Sequence, residues 1–149
     1  MATWDLASAR AAGNLHDWIV AYLSVPEWEN LGLLRRVRAY ATVWEGPRRV
    51  ALSDLVRIAG PGETFAFPQD PVAWQRSIDA MIQHGVIPEA LPPMILWRIE
   101  GGLNVADGNH RLDALRQSGF DEAWAIISPY PLREGAREAW LAAEGRFER

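Results

Sequence analysis

The stretch VADGNHRLDAL, from Val105 to Leu115, is the most informative part of this chain. It predicts a buried strand, a glycine turn and the first turn of a helix. Gly108 allows close approach of a ligand to the backbone, and the unpaired N–H groups at the start of the helix favour an anion there. Arg111 adds a planar set of donors suited to phosphate oxygens, and His110 adds a donor or a titratable group. The stretch therefore predicts a phosphate-binding site.

Three side chains have two interpretations each. Asp107 caps the turn or the helix, or it contacts a metal ion or a substrate hydroxyl, and both roles are compatible. His110 is a structural hydrogen-bonding group or a phosphate contact. Glu63 lies in the loop sequence GPGETF, where it is a general base brought over the phosphate site or a solvated surface carboxylate.

The composition is that of a soluble domain. The chain has 149 residues, of which 49% are hydrophobic and 23% charged, which is enough for one compact domain with a core. No apolar run approaches the roughly 18 residues that a membrane span needs, and the N-terminus lacks a secretory pattern. We expect a cytoplasmic protein without a membrane partner, and its oligomeric state is left open.

The absence of two residue types excludes several chemistries. Without cysteine there are no disulfides, thiolate nucleophiles or cysteine zinc sites. All 15 basic residues are arginine, so a Walker P-loop lysine, a kinase lysine and a pyridoxal phosphate Schiff base are excluded as well. Nucleotide chemistry would have to use arginine, backbone amides and a metal ion. The net charge of -4 argues against dominant DNA binding.

The sequence predicts helices in the N-terminal part of the chain, followed by a region that contains both strands and helices. Residues 1–45 form a helical N-terminal extension, 46–130 a mixed core and 131–149 a C-terminal helix, all within one domain. Tryptophans of the extension are expected to pack on the core sheet. The predicted core elements are a strand with a short turn over Arg49–Ile58, a helix from Asp70 to Gly85, a hairpin of Met94–Ile99 with Leu103–Ala106, a helix from Arg111 to Gly119, and a strand over Ala123–Ile127. The predicted apolar stripe of the Asp70–Gly85 helix is Val72, Ile78, Met81 and Ile82.

From about Arg49 to Ser128 this order resembles the ParB/sulfiredoxin-like superfamily. The resemblance rests on the strand at Val50–Leu55, the helix ending in His84-Gly85-Val86, and Asp107-Gly108-x-His110-Arg111 opening the next helix. It implies an α+β fold with a small mixed sheet and flanking helices. Sulfiredoxins carry a reactive cysteine where this chain has Asn109, so the resemblance does not extend to their thiol repair chemistry.

The resemblance also guides the functional hypothesis. In ParB partition proteins the matching segment is a phosphate-contacting box that binds CTP, but a DNA-binding region follows it there and only a short tail follows Ile127 here. The chain is more similar to free-serine kinases, which place a substrate hydroxyl beside a nucleotide phosphate and use carboxylates with magnesium. Asp107, His110 and Arg111 match their motif, and Glu63 matches by approximate location only.

The leading hypothesis is a small-molecule phosphotransferase or nucleotide hydrolase that uses ATP, ADP or CTP with Mg2+. Gly108, Asn109, His110 and Arg111 would bind the nucleotide; Glu63, Asp107 and His110 would be catalytic; and Asp107 would contact the metal. The alternatives are a nucleotide-binding regulatory module without turnover and a ParB-like nuclease.

Overall fold

A computed structural model of the chain describes residues 4–61 and 67–143. The α-helices are α1 (Leu6–Ala11), α2 (Leu15–Tyr22), α3 (Leu31–Tyr40), α4 (Pro71–His84), α5 (Asn109–Gln117) and α6 (Ala136–Ala143). The strands are β1 (Glu45–Ala51), β2 (Leu55–Arg57), β3 (Ala59–Pro61), β4 (Phe67–Gln69), β5 (Met94–Ile99), β6 (Gly102–Asp107) and β7 (Glu122–Ser128). Short 3-10 turns lie at Pro26–Trp28, Leu52–Asp54 and Pro88–Ala90.

Five strands form one mixed sheet in the order β1-β7-β5-β6-β2. The β5–β6 hairpin and the β1–β7 pair are antiparallel, whereas β5–β7 and β2–β6 are parallel. β3 and β4 form a separate parallel pair. The fold is therefore α+β with a small mixed sheet and flanking helices, as the sequence predicted.

Alternating side chains of the strands pack into two cores on opposite faces of the sheet. On one face, Ile95, Ala106 and Ile126 pack against the N-terminal helices, including Ile19 and Val37. The other face packs against α5. Its core contains Val50, Leu96, Leu103, Val105 and Leu112.

The tryptophans of the N-terminal region belong to the first of these cores. Trp18 is buried, and Trp4, Trp28 and Trp44 are partly buried against the same cluster. The predicted packing onto the core sheet is confirmed. Within the described residues, no helix combines the length and apolar character needed to cross a membrane.

Two local expectations need correction. The run Arg49–Ile58 is not one strand with a turn, because the 3-10 turn at Leu52–Asp54 separates β1 and β2, which lie at opposite edges of the sheet. On α4, Val72 is 66% exposed and Ile82 36% exposed, whereas Trp74 and Ile78 are buried. The predicted stripe is therefore confirmed at Ile78, a core residue, and at Met81, which packs against this core, and it was wrong at Val72 and Ile82.

Candidate functional site

The junction between β6 and α5 requires glycine. Gly108 is the N-terminal cap of α5 with a φ of 115°, a conformation that L side chains rarely adopt. A β-carbon there would lie 2.8 Å from Cγ of Met94 and 3.2 Å from a guanidinium nitrogen of Arg111. The glycine thus permits both the turn and the close packing beneath it.

Asp107 and Arg111 form an ion pair across this turn. One Asp107 carboxylate oxygen lies 2.6 Å from a guanidinium nitrogen of Arg111. The same oxygen accepts a hydrogen bond of 2.7 Å from the hydroxyl of Tyr22, and that hydroxyl in turn accepts one of 2.9 Å from Arg111. The three side chains form a closed triangle of hydrogen bonds between α2 and the start of α5.

Further contacts bury this triangle. The second oxygen of Asp107 accepts a hydrogen bond of 3.2 Å from Asn30, the cap of α3. Arg111 also donates to the carbonyl of Pro92 at 2.7 Å, and its guanidinium carbon lies 5.3 Å from the centre of the Trp28 ring. Because Arg111 is only 3% exposed, its guanidinium faces the protein interior.

The electrostatics of the triangle favour a neutral phenol beside an ion pair. Burial, which opposes a phenolate, raises the pKa of Tyr22 well above its ordinary value. Burial acts against the charge of Arg111, but the neighbouring Tyr22 and Asp107 outweigh it and raise the guanidinium pKa. Tyr22 therefore donates its proton to Asp107 and accepts one from Arg111 at neutral pH.

Asn109 ties the start of α5 to the β2–β3 connection. Its side-chain oxygen accepts hydrogen bonds from the backbone N–H groups of Ile58 and Ala59 at 3.1 and 3.3 Å, and its amide nitrogen donates to the carbonyl of Val105 at 3.1 Å. Asn109 is buried, so its side chain acts as an internal brace.

His110 lies on the side of α5 that faces α4. Its ring stacks on Trp74 with 4.0 Å between the ring centres. The indole N–H of Trp74 donates to Asp113 at 2.7 Å, and Asp113 is ion-paired with Arg57 of β2. Partial burial lowers the pKa of His110, although the nearby Asp113 carboxylate acts in the opposite direction. The imidazole is thus held in place and neutral at pH 7.

Five of the six predicted site residues are consecutive in the chain and lie where β6 ends and α5 begins. Asp107, Gly108, Asn109, His110 and Arg111 form the strand–helix junction, whereas Glu63 lies outside the described residues. The contacts of Asp107, Asn109 and Arg111 are with other parts of the chain, and His110 is half-buried against Trp74. Nucleotide and metal binding by these residues stays a prediction.

Local sequence patterns do not reveal the partners that surround the junction. Tyr22 and Asn30 lie in the predicted helical extension, and the partners Trp74 and Asp113 lie on two separate predicted helices. The spacing of Asp113, one turn after Asn109, is the single local signal that could have indicated a second polar group on this helix. Within residues 4–61 and 67–143, no three acidic or histidine side chains come together as a metal site.

Comparison with known proteins gives structural likenesses only. No protein-family model and no curated protein matches this sequence. A free serine kinase mutant in complex with AMP is similar in structure, with 19% identity, a TM-score of 0.40, and 55% of this chain and 30% of that chain covered. The corresponding complex with ADP gives 18% identity, a TM-score of 0.41 and coverage of 61% and 34%.

Sulfiredoxin from Arabidopsis thaliana is also similar, with 19% identity and a TM-score of 0.37 over 62% of this chain and 92% of that chain. This chain spans about a third of the length of the free serine kinase chains.

Proposed function

We propose that this protein binds the phosphate group of a nucleotide at the start of α5. The observation that carries the proposal is the uncapped N-terminus of this helix. The side chains of Asp5, Asn14, Asn30 and Asp70 accept a hydrogen bond from the first turns of α1, α2, α3 and α4 respectively. The cap of α5 is Gly108, which has no side chain to supply such a bond.

The uncapped turn offers donors to an anion. The hydrogen bond from the N–H of Leu112 to the carbonyl of Gly108, at 2.9 Å, begins the helical series, so the N–H groups of Asn109, His110 and Arg111 precede it. These donors lie at the positive end of the helix dipole, where phosphate is favoured. The imidazole of His110, fixed by Trp74, adds a neutral hydrogen-bonding group in the first turn.

In this proposal the ion pair of Asp107 with Arg111 also positions the backbone amides. Their ion pair and the bond to Tyr22 hold the end of β6 against α2, which fixes the direction of the Gly108 turn. A fixed set of amides binds an anion more tightly than a mobile one, because less conformational entropy is lost on binding.

The reaction we propose is transfer of a phosphoryl group from the nucleotide to a small hydroxyl acceptor or to water, with Mg2+ neutralising the phosphates. Glu63 is the proposed base that orients the acceptor, and Asp107 the proposed metal or substrate contact. A second candidate is a nucleotide-binding regulatory module without turnover. It is favoured by the engagement of both Asp107 oxygens, which already accept bonds from Tyr22, Asn30 and Arg111.

A charge placed in the first turn tests the binding site. His110→Glu introduces a negative charge that is favourable at the helix start but repels phosphate, so affinity for ATP, ADP or CTP by calorimetry should fall at least about tenfold. The neutral variant His110→Gln should lose less nucleotide affinity than His110→Glu. The matched control is Gln117→Glu, the same charge change at the other end of α5, which should leave affinity unchanged. Equal affinity in His110→Glu and wild type contradicts the proposed site.

Phosphorus NMR separates the two candidate functions. Wild-type protein is incubated with each nucleotide, Mg2+ and a panel of small hydroxyl compounds, and the spectra are followed for a new phosphate ester or inorganic phosphate. Glu63→Gln should slow product formation while leaving nucleotide affinity nearly intact, because a base acts mainly in the transition state. Nucleotide binding without any product supports the regulatory module.

A further inference from the structure

A cleft lies at the opposite end of β6 from the start of α5. It has a volume of about 370 Å3 and is bordered by β1, the turn at Leu52–Asp54, the end of β5 and the beginning of β6. Gly102 and Leu103 at its edge begin β6, and Asp107 at the nucleotide site ends it. At about 3.4 Å per residue, the two sites are separated by roughly 15 Å.

The floor of the cleft is apolar and its sides are charged. Val50 and Leu103, which line it, are buried members of the α5-side core. Arg48 and Arg98 lie on the same face of the sheet as that core, because Arg48 is paired with Ala125 and Arg98 with Leu103. Both arginines line the cleft, Arg48 from β1 and Arg98 from β5, and β7 lies between their strands.

Arg98 is oriented by a carboxylate. Its Nε and one terminal nitrogen lie 3.4 and 3.3 Å from the two oxygens of Glu45, which leaves its other terminal nitrogen outside this pairing. The side chain of Arg48 is exposed and makes no hydrogen bond or ion pair with the part of the chain that the structure describes. Arg49 also borders the cleft, but its guanidinium lies 5.1 Å from the Trp124 ring centre.

The turn from β1 to β2 forms the third side of the cleft. A β-carbon on Gly102 would lie 3.1 Å from the carbonyl oxygen of Asp54, so this turn packs directly against the start of β6. Asp54, whose side chain is exposed, borders the cleft and is the one carboxylate among its lining residues.

We propose that this cleft binds a small organic anion, through an oxyanion group between Arg48 and Arg98 and an apolar body over Val50 and Leu103. The volume falls in the range of small-molecule sites, and guanidinium groups match the planar oxygens of carboxylate and phosphate. In a chain of net charge -4, two arginines on one apolar floor form a local site for an anion. The site is independent of the proposed nucleotide site.

The test is a titration followed by amide NMR with three ligands of similar size: phenyl phosphate, benzoate and benzylamine. Both anions should shift the amides of Val50, Gly102 and Leu103, and the cationic benzylamine should not. The tighter anion identifies the phosphate or the carboxylate class as the ligand. Equal shifts with benzylamine, no shifts at millimolar anion, or shifts confined to the Gly108 region would overturn the proposal.

Variants that remove a charge test how the charged side chains of the cleft affect its affinity for anions. Arg48→Gln and Arg98→Gln should each weaken anion binding about tenfold, because each removes a charge-assisted hydrogen bond. Asp54→Asn should strengthen it about twofold by removing a repelling carboxylate. Arg38→Gln, at an exposed arginine of α3 outside the cleft, is the control and should change nothing. Thermal unfolding of each variant checks that it is folded. Unchanged affinity in both cleft arginine variants would contradict the site.

Discussion

At Gly108 the absence of a side chain decides the path of the chain. The residue combines a positive φ with a neighbour, Cγ of Met94, that a β-carbon would approach to 2.8 Å. Two separate costs, backbone strain and steric overlap, therefore oppose any other residue.

Gly108→Ala should lower the free energy of unfolding by about 2–4 kcal/mol, because both the backbone strain and the steric overlap with Met94 then apply. The control is Gly119→Ala, where φ is 88° but no atom lies within 4 Å of the added carbon, so that only the strain of about 1 kcal/mol applies. Denaturant unfolding measures both. Equal losses in the two variants would show that the packing against Met94 relaxes without cost.

Arg111 is the residue whose role differs most from its sequence pattern. The motif predicts a phosphate contact, with Arg111→Ala weakening nucleotide binding by roughly ten- to a hundredfold. In the structure the guanidinium is buried among Asp107, Tyr22 and the carbonyl of Pro92.

Removal of Arg111 leaves a partly buried carboxylate without its cation. Arg111→Ala should therefore destabilise the fold by about 3–5 kcal/mol, measured by denaturant unfolding. Arg116→Ala, on the same helix, removes one hydrogen bond to the carbonyl of Leu52 and should cost about 1 kcal/mol. A loss of nucleotide affinity in Arg111→Ala at unchanged stability would instead assign the direct phosphate contact to this residue.

His110 makes stability depend on pH. Burial lowers its pKa in the folded protein below the ordinary 6.5. Below about pH 6.5 the unfolded chain takes up a proton that the folded chain still excludes, so the stability is complete above this pH and is lost as the pH falls toward the folded pKa.

The melting temperature of the wild type should therefore fall more steeply below pH 6.5 than that of His110→Gln. His84→Gln, at the exposed end of α4, should keep the wild-type profile. Melting curves by circular dichroism between pH 5 and 8 make the comparison. Parallel profiles for wild type and His110→Gln would mean that the folded and unfolded chains bind a proton at His110 equally.

At the scale of elements, the contact of α4 with α5 depends on Trp74. This side chain is 2% exposed, stacks on His110 and donates to Asp113. The apolar residues Val72 and Ile82, which suggested a core face from sequence, are exposed. Trp74 and Ile78 pack with Ala114 of α5, and the bond to Asp113 fixes the indole of Trp74 in this contact.

Trp74→Phe should cost about 1–3 kcal/mol, because the carboxylate of Asp113 loses its indole donor and the smaller ring leaves a gap. Val72→Ala, on the exposed side of the same helix, should change stability by less than about 0.5 kcal/mol. Thermal unfolding compares them. A larger loss of stability in Val72→Ala than in Trp74→Phe would support the apolar face predicted from the sequence.

At the scale of the molecule, the N-terminal helices share a core with the sheet. Ile19, Tyr22 and Val37 pack in the same cluster as Ile95 and Ile126. Removal of the N-terminal helices therefore tests directly the prediction that the chain is a single domain.

A chain that lacks residues 1–45 should lose its cooperative unfolding transition and bind hydrophobic dyes, because this face of the sheet becomes exposed. Ile19→Ala in the full chain is the graded control and should lower stability by about 2–5 kcal/mol without loss of cooperativity. A truncated chain that unfolds sharply at the wild-type temperature would show that the helices form a separate arm.

The sequence by itself determined features that depend on near neighbours. It predicted the start of α4 at Asp70 and Pro71, the β5–β6 hairpin at Gly101 and Gly102, and the glycine turn at Gly108, and the structure confirms each. These features follow from caps and turn conformations that involve only a few consecutive residues.

Only the tertiary structure decided which way the side chains of the junction point. Tyr22 and Asp107 are separated by 85 positions, and Trp74 and Asp113 by 39, so no local pattern records either contact. The split of Arg49–Ile58 into strands at opposite edges of the sheet is likewise a matter of distant pairing. An arginine at this position suits a buried ion pair as well as a solvent-facing phosphate contact, so the residue type does not distinguish the two roles. The packing of α2 and α3 makes Arg111 an internal residue.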